Sequence, residues 1–216
     1  MTVDRHFERP LLRGYLHLGA ACAAVAGVVL LVLLAHSARA YVGGVVFACS
    51  LALLYLTSGL YHTVNWRPRA KAILKRLDHS MIFVLIAGTY TPFCLLVLDT
   101  AWGVSVLAVV WGLAAGGIAL KVAWPNAPRW LSVGMYLSIG WLGVVAGAPV
   151  SSWFALAPLA LLVVGGVLYS LGGLIYALQR PDPFPRVFGY HEVFHLLVIA
   201  GSALHFSLVA IYLMPA

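Results

Sequence analysis

The stretch "YHEVFHLLVIAGSALHF", Tyr190 to Phe206, sets three histidines and one glutamate into a run that is otherwise apolar. Followed from 192 to 213, the run has the length of roughly 20 residues that a helix needs to cross a hydrocarbon core. Six similar runs precede it, at 14–35, 41–62, 79–98, 102–122, 130–149 and 154–177. A chain that is 63% hydrophobic and 9% charged carries more apolar surface than a water-soluble domain can expose. The expected fold is therefore an all-α integral membrane protein. Residues 14–213 form a seven-transmembrane helix bundle, and 1–13 form a cytoplasmic N-terminal segment. Connections are short and no low-complexity tract interrupts them, so one bundle is expected rather than several domains. Paired glycines inside the runs, such as Gly116-Gly117, Gly165-Gly166 and Gly172-Gly173, suit close helix approach rather than phosphate loops.

The thirteen basic residues set the orientation. Arg5, Arg9 and Arg13 precede the first run, and Arg67, Arg69, Lys71, Lys75 and Arg76 lie between the second and third. Lys121, Arg129, Arg180 and Arg186 fall in later connections on the same side, leaving Arg39 alone on the other. The positive-inside bias then puts the N-terminus in the cytoplasm and the C-terminus outside. This distribution also accounts for the net charge of +7. Contact with anionic lipid headgroups is the use expected of these loops beyond fixing topology, at roughly 1 kcal/mol per basic residue. No nucleic-acid motif accompanies the charges, so no nucleic-acid partner is expected.

Ala38-Arg39-Ala40 has the small-x-small form of a signal-peptidase site, but the apolar run before it exceeds the usual signal core of about 7–15 residues. Cys22, Cys49 and Cys94 fall within runs, form no CxxC pair and are read as small core residues.

Ionisable side chains inside a membrane are costly, so each is a functional candidate. The second run ends "TSGLYH", which puts Ser58 and His62 one helical turn apart near the cytoplasmic end. The third starts from that side with Asp78 and His79 at its mouth. The seventh also starts there, with His191 and His195 one turn apart on a single face. Three helices thus bring polar groups to one depth. Imidazoles from His62, His191 and His195 would supply three nitrogen ligands to Zn2+, leaving a fourth position for a water of lowered pKa. Asp78 is the candidate base and Ser58 a group that orients water or substrate. His205 lies about 21 Å of helix beyond His191 and is expected to hydrogen-bond to neighbouring helices instead. His17, His36 and His79, each taken alone, read as interhelical or interfacial residues, and Tyr55, Tyr61, Tyr90 and the seven tryptophans as packing or interface residues.

His191-Glu192-Val193-Phe194-His195 also satisfies HExxH, in which two histidines bind zinc and the glutamate is the base of a metalloprotease. Five residues are a short match, and that reading leaves His62 without a role.

Taken together, "SGLYHT" (58–63), "RLDHSMIFVLIAGTYTPF" (76–93) and "GYHEVFHLLVIAGSALHF" (189–206) closely resemble the bacterial hemolysin III family, relatives of the progestin and adiponectin Q receptors. The resemblance covers about 14–213. It implies zinc held by His62, His191 and His195, a water bonded to Asp78, and Ser58 as the serine of the first motif. It also implies hydrolysis of a lipid amide or ester, ceramide-like, with a part in membrane lipid and fluidity homeostasis, in a multi-pass protein of the plasma (inner) membrane. Glu192 departs from the receptor pattern. The competing functions are a sensor of membrane state with structural zinc, a cytolytic membrane protein, and the HExxH protease.

Overall fold

A computed structural model describes residues 12–98, 100–146 and 155–215. Seven helices follow one another: α1 (Tyr15–Leu34), α2 (Ala38–Thr63), α3 (Pro68–Leu96), α4 (Thr100–Ala123), α5 (Arg129–Ala146), α6 (Leu156–Leu178) and α7 (Tyr190–Leu208). A π-helical turn, Val209–Leu213, prolongs α7. The fold is all-helical. Among the described residues, six helices, α1 to α4, α6 and α7 with its π turn, are long and apolar enough to cross a membrane. Positions 147–149 and 154, at the expected ends of the fifth and sixth runs, lie outside the described residues, as do 1–11 of the N-terminal segment.

One boundary differs from expectation. The third run was placed from 79, whereas α3 begins at Pro68. Proline suits a first helical position because its missing N–H would be unpaired there anyway. The residues that follow, Ala70, Lys71, Ala72, Leu74 and Lys75, are good helix formers. Hydropathy marks only the part of a helix that lipid covers, so it missed the polar first turns. Asp78 therefore sits ten residues beyond Pro68, about 15 Å along the helix, and not at its mouth.

Helices α1 to α4 pack in sequence order, α6 pairs with α7, and α7 with its π turn closes back on α1 and α3. Leu31, Phe47, Leu54 and Val209 are buried in the cluster that joins α1, α2 and α7. Phe83, Val110, Ala114 and Ile139 form a second cluster among α3, α4 and α5. Lipid tails are as apolar as leucine, so such helices associate through close packing and hydrogen bonds. Small residues make the approach possible: a Cβ on Gly201 would stand 3.0 Å from the Gly165 carbonyl of α6.

Polar links complete the bundle. The Tyr55 hydroxyl of α2 donates to Ser202 Oγ of α7 at 2.6 Å, and Tyr169 of α6 meets the same oxygen at 2.7 Å. Tyr55 and Tyr90 are thus more than packing residues. Tyr90 donates to the Ile139 and Gly140 carbonyls and accepts the Gly143 N–H, which pins α5 to α3. Each such bond contributes about 0.6 kcal/mol on average inside a membrane. His205 Nε2 donates to the Leu162 carbonyl at 3.1 Å, the interhelical role expected of it.

Candidate metal centre

His62 occupies the last turn of α2, and His191 and His195 the first two turns of α7. One ring nitrogen from each lies within 4.8 Å of the other two. His62 Nε2 and His191 Nε2 are 3.3 Å apart. Asp78 Oδ2 is 3.9 Å from His62 Nε2. Ser58, one turn before His62, is buried and turns its hydroxyl toward the Asp78 carboxylate. All five residues singled out in the sequence thus meet at the same end of the bundle.

The donor set fits a zinc ion. Nitrogens bound at about 2.0–2.1 Å in a tetrahedron stand about 3.4 Å from each other, which matches the His62–His191 pair. His195 is 1% exposed and its Nδ1 has no partner among the described residues, a costly state for a buried polar atom. Neutral imidazoles with a nearby carboxylate are a donor set suited to zinc.

Two residues at the centre carried no such role in the sequence. His17 of α1, read there as an interhelical or interfacial residue, stacks on the His195 ring with centroids 3.7 Å apart and meets Tyr55 edge-on at 5.0 Å. Its signal was its depth, since it lies near the start of the first run, the end that the basic loops place on the same side as His62 and His191. Arg13, counted there only as a topology charge, places Nε 2.7 Å from Glu192 Oε1.

That contact accounts for Glu192. Its other oxygen, Oε2, accepts the Gly189 N–H at 2.8 Å and so caps the start of α7. Both carboxylate oxygens of this fully buried residue are committed to structure, one turning α7 out of its loop and one tying it to the segment before α1. Glutamine keeps the cap and loses the ion pair. Glu192→Gln is therefore expected to lower stability by roughly 1–3 kcal/mol with metal content unchanged, read from thermal unfolding and metal analysis of the purified protein. An unaltered melting curve would remove this structural role.

Gly14 completes the tie. Its φ of +94° is strained for any residue with a side chain, and a Cβ there would stand 2.8 Å from both His62 Cβ and Thr63 Cγ2. Gly14→Ala should destabilise by about 1–3 kcal/mol and displace His62, so reduced thermal stability and weaker metal retention are expected together. Normal values of both would contradict this packing.

A cavity of about 440 Å³ runs from this centre, within the range of sites that hold small ligands. Ser58, Asp78, His191 and His195 line it. Cys94, sixteen residues beyond Asp78 on α3 and thus about 24 Å along the helix, also lines it. Most of the wall is apolar.

An apolar cavity lined by His191, His195 and Asp78, with His62 beside them, within helices long and apolar enough to cross a membrane, defines a class: a polytopic membrane protein with a cluster of histidines and a carboxylate inside its bundle. Comparison with known proteins gives the family. A family model described as "Haemolysin-III related" matches residues 5–206, and the chain belongs to that family. It is 41% identical over 167 residues to "Hemolysin-3 homolog" of Bacillus subtilis (strain 168), covering 77% of this chain and 75% of that protein. It is 37% identical over 191 residues to "Hemolysin-3" of Bacillus cereus, covering 86% and 84%. A more distant likeness, 29% over 163 residues, is to "Adiponectin receptor protein" of Drosophila melanogaster, covering 68% of this chain and 37% of that one. The chain is thus a multi-pass membrane protein of the hemolysin III family, related to the adiponectin receptors.

Proposed function

We propose that this protein is a zinc-dependent hydrolase of the plasma membrane that cleaves an amide or ester bond of an acyl lipid. The observation that carries the reading is that Ser58, Asp78, His191 and His195 line an apolar cavity, with His62 grouped beside the two histidines. In this reading seven helices span the membrane, with the N-terminus and the metal centre on the cytoplasmic side, where the basic loops collect. His62, His191 and His195 hold the ion, which when bound supplies a Lewis acid and a water of lowered pKa. The cavity takes the acyl chain and fixes the scissile carbonyl beside the histidines, an entropic gain of the kind that positioned substrates give. Asp78 accepts the proton lost by the attacking water and returns it to the leaving amine or alkoxide. Ser58 orients Asp78. The stacked His17 and the fully buried Glu192 exclude bulk water from the centre, and the hydrolysis would serve the balance of membrane lipids.

The glutamate-dependent protease reading draws no support from Glu192, whose oxygens already serve Arg13 and Gly189. The direct test is release of fatty acid from ceramide and from ester lipids by the purified protein, followed by mass spectrometry with and without a chelator. Chelator-sensitive release is expected. A zinc-loaded protein that releases nothing from either class would leave zinc as structural and favour the sensor.

A further inference from the structure

Three cations gather around His79, a residue of the cavity wall, and none forms an ion pair with an acid among the described residues. Lys75 of α3, Lys121 at the end of α4 and Arg129 at the start of α5 all lie close enough to act electrostatically on His79, whose ring lines the cavity. Lys121 is buried, 5% exposed, and its ammonium donates to Ser132 Oγ. Arg129 sits 5.7 Å from the ring centroid of Tyr176, another lining residue. His79 Nδ1 donates to the Lys75 carbonyl at 2.6 Å, which leaves Nε2 to accept from the Tyr176 hydroxyl at 3.4 Å. Of the carboxylates among the described residues, Asp78 stands 3.9 Å from both His62 Nε2 and His79 Nδ1, Glu192 pairs with Arg13, and Asp182 accepts the Tyr190 N–H. None of the three cations forms an ion pair with them.

A buried ammonium held only by a hydroxyl is costly, and two further positive charges beside it raise that cost. An anion that entered beside them would offset it. A carboxylate would bring one negative charge, whereas a phosphate monoester brings between one and two and has three oxygens to share among an ammonium, a guanidinium and a hydroxyl. We propose that Lys75, Lys121 and Arg129 form a binding site for the phosphate headgroup of an acyl lipid whose chain occupies the adjoining cavity. The inference adopts the acyl occupant of the reading above and adds the headgroup; it does not depend on turnover.

The test is equilibrium binding of dioleoyl phosphatidic acid and of dioleoylglycerol to the full-length protein in neutral detergent, with metal content measured in parallel. The same lipids are offered to a K75Q/K121M/R129Q variant and to an R69Q/K71Q/R76Q variant, which loses equal charge from exposed positions of the same face. Wild type should prefer the phosphate lipid by roughly tenfold or more, the first variant should lose that preference, and the second should keep it with zinc content unchanged in both. If the first variant fails to fold, K75Q/R129Q, which leaves the buried lysine in place, should still reduce the preference. Equal binding of the two lipids by wild type, or equal loss in the exposed-charge variant, would overturn the site. Displacement of the lipid by millimolar inorganic phosphate would show that the site takes the free anion, and the lipid assignment would fall. A metal-free protein that still prefers the phosphate lipid would sink the hydrolase and keep the headgroup site.

Discussion

Purified wild-type protein is expected to carry close to one zinc per chain, and the His191→Ala, His195→Ala double variant less than about a tenth of that. The two histidines are one turn apart on α7, and together with His62 they supply the imidazoles of the centre. A single remaining ring has no chelate partner within the described cluster. Loss of a group that merely orients a ligand costs about 10- to 100-fold in metal affinity, and removing two ligands outright should cost far more. The histidines are set well inside the bundle, so the alanines also leave space beside the stacked His17 ring, and folding must be verified by thermal unfolding. His62→Ala serves as the independent variant, because it removes a ligand from α2 while leaving α7 intact. Metal analysis by mass spectrometry reads the result. A folded wild type without metal, after exposure to zinc, would dispose of the centre and of the hydrolase with it.

Asp78→Asn separates chemistry from metal binding. The carboxylate stands 3.9 Å from His62 Nε2, near enough to accept a proton from water held there. A positioned general base contributes about 10²- to 10⁴-fold to rate. Asparagine keeps the shape and loses the proton acceptor. Lipid hydrolysis should therefore fall by at least about 100-fold in protein that still holds zinc when the metal is supplied in excess. Glu192→Gln, measured beside it, should retain activity in whatever fraction remains folded, since its carboxylate serves Arg13 and Gly189. The reverse pattern, with Glu192→Gln inactive and Asp78→Asn active, would transfer the base to Glu192 and revive the HExxH reading.

Much of this centre was legible because its signals are local. His191 and His195 share a face by helical period alone, as do Ser58 and His62. Hydropathy set the depth of each run, and depth brought Asp78 to the level of the histidines. The same signal failed at the start of α3, where Pro68 and the lysines that follow extend the helix beyond the apolar stretch. His17 could have been recognised by depth but was weighed as a lone residue.

The sequence by itself determined that this chain is a helical membrane protein of the hemolysin III type, and it determined which residues could furnish a metal centre. Run length and i, i+4 spacing are properties of one helix in isolation, so no partner is needed to read them. Only the tertiary structure decided that His17 lies flat on His195, that Glu192 is consumed by Arg13 and by the cap of α7, and that Lys75, Lys121 and Arg129 gather around His79. Those outcomes depend on which face each helix turns to its neighbours. In a bundle without a hydrophobic drive between helices, that choice is made by contacts such as Gly201 against Gly165, between residues far apart in the chain.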